Sequence, residues 1–324
     1  MDNKNKDKLY IYIIVPILVF LCTACSGNLG ASESQNTNNL PDPNTNSAMS
    51  KSLSMRSDIF PYTVIDSRGK TITFQKPAEK IVVLDNAALD TIYSIGEWHR
   101  VVAIHEFASY PPQTSDIPKV SNAFNINIEA IIELDPDLVF VFYEMFVSDL
   151  EDAGLKVLYL ESLGNDLEET TELITMWGRI TGNINAANAE SLLFEKRVAA
   201  IREMLSETDA GFKVFQDAGD LWTPGQNTLM NTVFVLLKLD NIAGDVSGYV
   251  QLSPELIIDR NPDLIIALDP NSITTNPAFK DVNAVKNNMV IKMPSDALSN
   301  PGPRFALGIE ELAKLIYPQS FGNK

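Results

Sequence analysis

Two glutamates carry the first chemical signal in this chain. Glu129 opens "EAIIELDPDLVF" and Glu255 opens "ELIIDRNPDLII", and the two stretches align without a gap, 126 residues apart. They share Glu, Ile-Ile and Pro-Asp-Leu, and Asn127 and Ser253 each stand two residues ahead of their glutamate. Asn and Ser are helix-capping residues, so both carboxylates are expected in the first turn of a helix. There each gains roughly 0.3–1 kcal/mol from free amides and the macrodipole. That role accounts for either glutamate taken alone, and the repeat asks for a reason to build the element twice.

The remaining reactive residue types narrow the chemistry. The only cysteines, Cys22 and Cys25, lie in an apolar N-terminal segment, which leaves the body without a disulfide, a Cys nucleophile or a Cys-ligated metal. The two histidines, His99 and His105, are not spaced as a ligand pair on one helix, so no metal site is expected. No GxSxG, HExxH, Walker or GxGxxG motif occurs, and nothing marks Asp217 and Asp220 as an acid/base pair. The absence of these motifs argues against an enzyme; a secreted hydrolase on an α/β scaffold is the reading from that class. With 25 Lys+Arg against 42 Asp+Glu, the formal charge of −17 argues against nucleic acid, whose recognition needs a basic face.

The elements that must position these residues follow from the hydrophobic pattern of the 324-residue chain. Residues 1–25 read as an export signal: Lys4, Lys6 and Lys8, then an apolar run from Leu9 to Ala24 broken by Pro16. "LCTAC" resembles the lipobox of secreted lipoproteins, with Cys25 as the lipidated residue, although Cys22 stands where that motif usually has leucine. An uncleaved signal anchor is the alternative, and either puts the body outside the cytoplasmic membrane. Residues 26–58, rich in Ser and Asn, lack apolar periodicity and read as a flexible tether.

The body is expected to be α/β, with an N-terminal lobe over 59–165, a connecting helical stretch over 166–206 and a C-terminal lobe over 207–324. "YTVIDSRGKTITF" reads as a hairpin, and "KIVVLD", "RVVAI", "LVFVF" and "GLKVLYL" as four strands alternating with helices. The second half repeats the plan: "FKVFQ", "DLIIAL" and "NMVIKM" are strands, and "NTLMNTVFVLLKLDN" reads as a helix ended near Gly244. Strand–helix alternation implies parallel sheets. Between the halves a long helix is expected from about Leu167 to Leu205, interrupted at "TGNIN".

Four stretches in this order resemble the helical-backbone class of substrate-binding proteins for ABC importers, which capture cobalamin, ferric siderophores or haem. They are "KIVVLDNAALDTIYSIGEWHRVVAI", "YPPQTSDIPKVSNAFNINIEAIIELDPDLVF", "GYVQLSPELIIDRNPDLIIAL" and "GPRFALGIEELAKLIYP", spread over roughly residues 60–318. The resemblance implies two Rossmann-like lobes joined by a single long backbone helix, with a ligand cleft between them. It also implies a monomer working with a permease dimer and its ATPase, and it assigns Glu129 and Glu255 to docking on permease arginines. That role is compatible with the helix-start role.

Ligands of parallel α/β sheets bind beyond the carboxyl ends of the strands. The expected ligand-binding residues are therefore Asp85, Asn86, Phe107, Tyr110, Tyr143, Trp222 and Asp296. This set holds aromatic faces and no lysine or arginine, which suits a large flat ligand. Among members of the class, "ASYPPQTSDIPKVS" and "SDALSNPGPR" resemble the cobalamin binders most. In those an aromatic pair and an arginine usually follow Ser-Asp, where this chain has Ala297, Leu298 and Asn300. No cofactor is expected; the ligand is expected to be cobalamin, another metal-containing macrocycle or an iron chelate.

Overall fold

A computed structural model describes residues 59–122, 124–161, 166–209 and 211–321. The signal segment, Cys25 and the tether lie outside the described residues.

The first lobe begins with an antiparallel hairpin of β1 (Tyr62–Ile65) and β2 (Thr71–Phe74), in which Thr71 lies opposite Ile65. Its turn holds Gly69 at φ +79°, a left-handed position that glycine adopts without strain. The Ser67 amide donates to the Tyr159 carbonyl at 3.0 Å and ties the hairpin to the lobe. There follow β3 (Ile81–Val83), α1 (Asn86–Ser94), β4 (Val101–His105), β5 (Lys119–Ser121), α2 (Ile128–Glu133), β6 (Leu138–Val141), α3 (Val147–Asp152) and β7 (Val157–Tyr159). The five-stranded sheet runs in the order β5-β4-β3-β6-β7, all parallel. Strand β5 is an addition to the four expected. It has three residues, of which only Val120 is buried, too few to show alternation.

The interruption expected at "TGNIN" is a complete break between α4 (Leu167–Thr181) and α5 (Ile184–Met204). Gly182, at φ +78°, ends α4, and the two helices then fold against each other. They approach so closely that a Cβ on Gly178 would sit 2.2 Å from the Ala187 Cβ. Helix α4 belongs to the first lobe: Trp177 packs edge-on to Phe140 at 5.0 Å, and Ala78 donates to the Ile180 carbonyl at 3.0 Å. The helix linking the lobes is therefore α5 alone, whose 21 residues span about 30 Å.

The second lobe contains β8 (Phe212–Asp217), β9 (Trp222–Pro224), α6 (Leu229–Leu236), β10 (Leu239–Asn241), β11 (Tyr249–Gln251) and α7 (Pro254–Arg260). It continues with β12 (Leu264–Ala267), α8 (Pro270–Thr274), α9 (Asn283–Lys286), β13 (Val290–Lys292) and α10 (Phe305–Ile316). Its parallel sheet runs β10-β8-β12-β13, and β9 and β11 form a separate antiparallel ribbon. The helix expected to continue to Gly244 instead ends at Leu236. Lys238 turns the chain at φ +59°, and Leu239–Asn241 becomes an edge strand beside β8. The apolar run masks this boundary, because leucines suit both the helix end and the strand.

Each sheet is buried on both faces, and successive strand residues alternate between cores. Ile81 and Val83 join a core shared with α4, α5 and α10, whereas Val82 faces a second core with Val139 and Val157. In β12, Leu264 and Ile266 face the shared core and Ile265 faces a third. One apolar interior thus runs beneath both lobes through α5, and Arg197 of α5 pairs with Glu310 of α10 at 3.2 Å above it.

Candidate ligand site and docking faces

In each sheet the strand order reverses beside the first strand, between β3 and β6 in one lobe and between β8 and β12 in the other. Such switch points open crevices at the carboxyl ends of the strands. Asp85 follows β3 at the first of them. Its side chain caps α1, accepting from the Ala88 amide at 2.7 Å. Burial pushes this carboxyl up to about 6, against the pull of the Ala88 and Ala87 amides. Asn86, the next residue, meets His105 at the end of β4, with Asn86 Oδ1 3.1 Å from His105 Nε2. The amide oxygen accepts, so Nε2 carries the proton. Burial, and secondarily the Lys119 charge, pulls His105 down to about 4, so the ring is neutral at pH 7.

These two buried groups bias stability in opposite directions over one pH window. Asp85 binds its proton more tightly folded than unfolded, so its contribution is present at pH 4 and is lost as pH rises through about 6. His105 binds its proton less tightly folded, so its contribution grows as pH rises from about 4 to 6.5. Each amounts to roughly 3 kcal/mol at full extent, so the two largely cancel. Asp85→Asn, which keeps the cap, should therefore make stability rise from pH 4 to 6.5, and His105→Gln should make it fall. Urea denaturation across that range reads both slopes; two flat profiles would exclude these buried titrations.

The expected rings occupy both lobes. Phe107 lies 6.3 Å from the His105 ring and is partly exposed. Tyr110 meets Tyr93 edge-on at 5.7 Å. Tyr143, 40% exposed, sits against Phe142 at 3.9 Å and Phe146 at 6.4 Å, and so keeps a face toward solvent. Burial raises the hydroxyls of both Tyr110 and Tyr143 above the usual tyrosine range. Trp222 is half-buried on β9, opposite Gln251, and among the described residues no ring contact joins it to the first-lobe set. Ala297 and Leu298 are 5% and 4% exposed and turn away into the second lobe, where Leu298 packs against Gly308 of α10.

Where the lobes meet, the organising residue is Arg304, from the last of the four stretches that carry the resemblance. Its Nε lies 3.2 Å from Asp90 Oδ1, and its backbone amide 3.2 Å from Asp90 Oδ2. A terminal nitrogen lies 3.3 Å from Asp296, and the guanidinium stacks 3.4 Å from the Tyr110 ring centroid. Asp90 is in α1 and Tyr110 follows β4, both in the first lobe; Asp296 and Arg304 belong to the second. One arginine thus gathers Tyr110 and Asp296, two of the expected site residues. Gly302 allows this approach, since a Cβ there would stand 3.0 Å from Asp90 Oδ2. The sequence showed the two residues only separately, a lone Arg after β13 and an Asp on a mostly apolar helix face, with nothing to pair them.

Glu129 and Glu255 fall in the first turns of α2 and α7, capped by Asn127 and Ser253 as expected. Both are exposed. Each helix runs back toward the next parallel strand, so its first turn lies at the strand carboxyl ends, on the rim from which the ligand loops rise. Glu129 lines a hollow of about 430 Å³ with Glu106, which directly follows His105. Asn122, Asn125 and Lys119 also line it, and the Lys119 ammonium is already engaged by the Thr114 carbonyl.

Two parallel α/β lobes, linked by one helix and meeting at their strand-end loops, define a two-lobed solute-binding protein. A family model described as periplasmic binding protein matches residues 81–297, and the chain belongs to that family. It is 29% identical over 280 residues to an uncharacterised ABC transporter substrate-binding lipoprotein of Bacillus subtilis, covering 82% of this chain and 88% of that one. It is also 29% identical to a cobalamin-binding protein of Halobacterium salinarum, over 79% of this chain and 73% of that one. Among solved structures, the periplasmic vitamin B12-binding protein of Vibrio cholerae superposes with a TM-score of 0.66 at 24% identity, covering 76% and 99% of the two chains. That likeness shows the fold. The family is one of extracytoplasmic solute carriers and not of enzymes.

Proposed function

We propose that this protein captures a corrinoid outside the cytoplasmic membrane and delivers it to the permease dimer of an ABC importer. The observation that carries the reading is the relationship to a cobalamin-binding protein along 79% of the chain. The strand-end loops support it. They offer aromatic rings at Phe107, Tyr143 and Trp222, while Tyr110 is stacked under Arg304, which is already paired with two carboxylates. A large flat macrocycle with little net charge suits such a surface better than an anionic chelate, which calls for free cations. The buried Ala297 and Leu298 withdraw from the cleft, so ring stacking falls to the first-lobe aromatics and Trp222.

We also assign the membrane anchor to lipid on Cys25. Native mass spectrometry of protein purified from its own membrane tests both assignments at once. The expected species begins at an acylated Cys25 and retains one corrinoid per chain. Calorimetry of ligand-free protein with cyanocobalamin, haemin and a ferric hydroxamate then compares ligands directly. Saturable heat from haemin or the hydroxamate, with none from cyanocobalamin, would move the assignment to that ligand.

A further inference from the structure

The repeat does more than present two glutamates. In each copy two isoleucines follow, and the structure divides them the same way. Ile131 and Ile257 are fully buried, whereas Ile132 is 48% exposed and Ile258 39% exposed. The exposed isoleucine lies three residues after the glutamate, one turn along the same helix face. Four residues after the glutamate each copy adds a second exposed carboxylate, Glu133 in α2 and Asp259 in α7. Each lobe therefore shows the same motif, an exposed isoleucine flanked on one side by two exposed acids, at the same register.

Among the described residues no salt bridge to Glu129, Glu133, Glu255 or Asp259 accounts for this choice. Carboxylates at i and i+4 repel each other, and an exposed β-branched residue helps a helix of six or seven residues little. A partner accounts for both features. Two like acidic faces, one on each lobe and both on the rim of the strand-end loops, fit a partner made of two like halves. Charge complementarity requires each half to offer an apolar depression edged by lysine or arginine.

We infer that Ile132 and Ile258 are the apolar anchors of the docking contact, each inserting into one of the two permease subunits. The inference rests on the importer reading proposed above. An apolar side chain buried beside interface charges contributes tightness to the contact, while the charges contribute steering and salt dependence.

Photoreactive phenylalanine placed at position 132 or 258 of the full-length lipoprotein in intact cells tests the contact. Both positions should crosslink to the same polytopic membrane subunit, whereas position 235, exposed on α6, should not. Crosslinks only to another copy of this chain, or to no polytopic protein, would overturn the inference. Detergent capture of that subunit then compares two double variants. Ile132→Ser/Ile258→Ser should weaken capture about tenfold to a hundredfold with its salt dependence unchanged, and with melting temperature and ligand binding as in the parent. Normal capture by this variant alongside weakened capture by Glu129→Gln/Glu255→Gln would sink the isoleucine anchors and leave charge docking standing. Normal capture by both would remove the docking faces altogether.

Discussion

Arg304→Met should be among the most damaging single substitutions in the protein. Among the described residues it removes the only cation paired with Asp90, a carboxylate that is 1% exposed, and leaves just the backbone amide of position 304 donating to it, while the arginine itself is 21% exposed. Breaking a buried pair from one side leaves an uncompensated charge, commonly at about 3–5 kcal/mol. Asp90 can escape by taking up a proton, which limits the loss at pH 7 to roughly 4 kcal/mol relative to an ordinary carboxyl. Burial already raises Asp90 against the pull of Arg304, so without the arginine it rises further. A carboxyl raised on folding loses stability as pH increases through its folded value, so the variant should be least impaired near pH 4. Asp90→Asn added to Arg304→Met should recover much of the loss, because the buried charge is then gone. Denaturant melts of the four cycle members at pH 4 and pH 7 measure this. An Arg304→Met variant with parental stability at pH 7 would show that the contact between lobes carries no energy.

Glu129→Gln/Glu255→Gln should leave the fold and ligand affinity nearly unchanged and still stop delivery. Both carboxylates are exposed, so each substitution costs only a few tenths to about 1 kcal/mol of stability through the helix terminus. In the proposed docking on permease arginines they would lose their water, and breaking such a pair from one side costs about 2–5 kcal/mol. Two such losses, one on each permease subunit, reduce docking beyond the range in which uptake persists. Labelled corrinoid uptake by cells carrying the variant reads the effect, and oppositely charged substitutions on the permease should restore part of it. Wild-type uptake by the double variant would return the glutamates to the helix-start role alone. Because the first turns of α2 and α7 lie on the rim of the strand ends, the proposed docking and the proposed ligand site would share one side of the molecule.

Local signals were enough to read most elements. Asn127 and Ser253 cap their helices as their side chains allow, Ser67-Arg68-Gly69 turns the hairpin, and the apolar runs of β3, β6 and β12 are strands buried on both faces. Their determinants lie within a few residues along the chain, in side-chain geometry and periodicity. The ring-bearing strand ends followed from the same strand assignments.

What only the tertiary structure decided depends on residues far apart in sequence. Strands β5 and β10 have three residues each and exist because β4 and β8 offer them free edges. The reversal between α4 and α5 needs Gly178 to give way to Ala187 across the turn. Asp90 and Arg304 are separated by 214 positions, and no period or motif couples them. The choice of Ile131 and Ile257 for burial, with Ile132 and Ile258 left outside, is likewise set by how each helix rolls on its sheet. Sequence periodicity fixes which residues are apolar, while packing against a particular neighbour fixes which of them water still reaches.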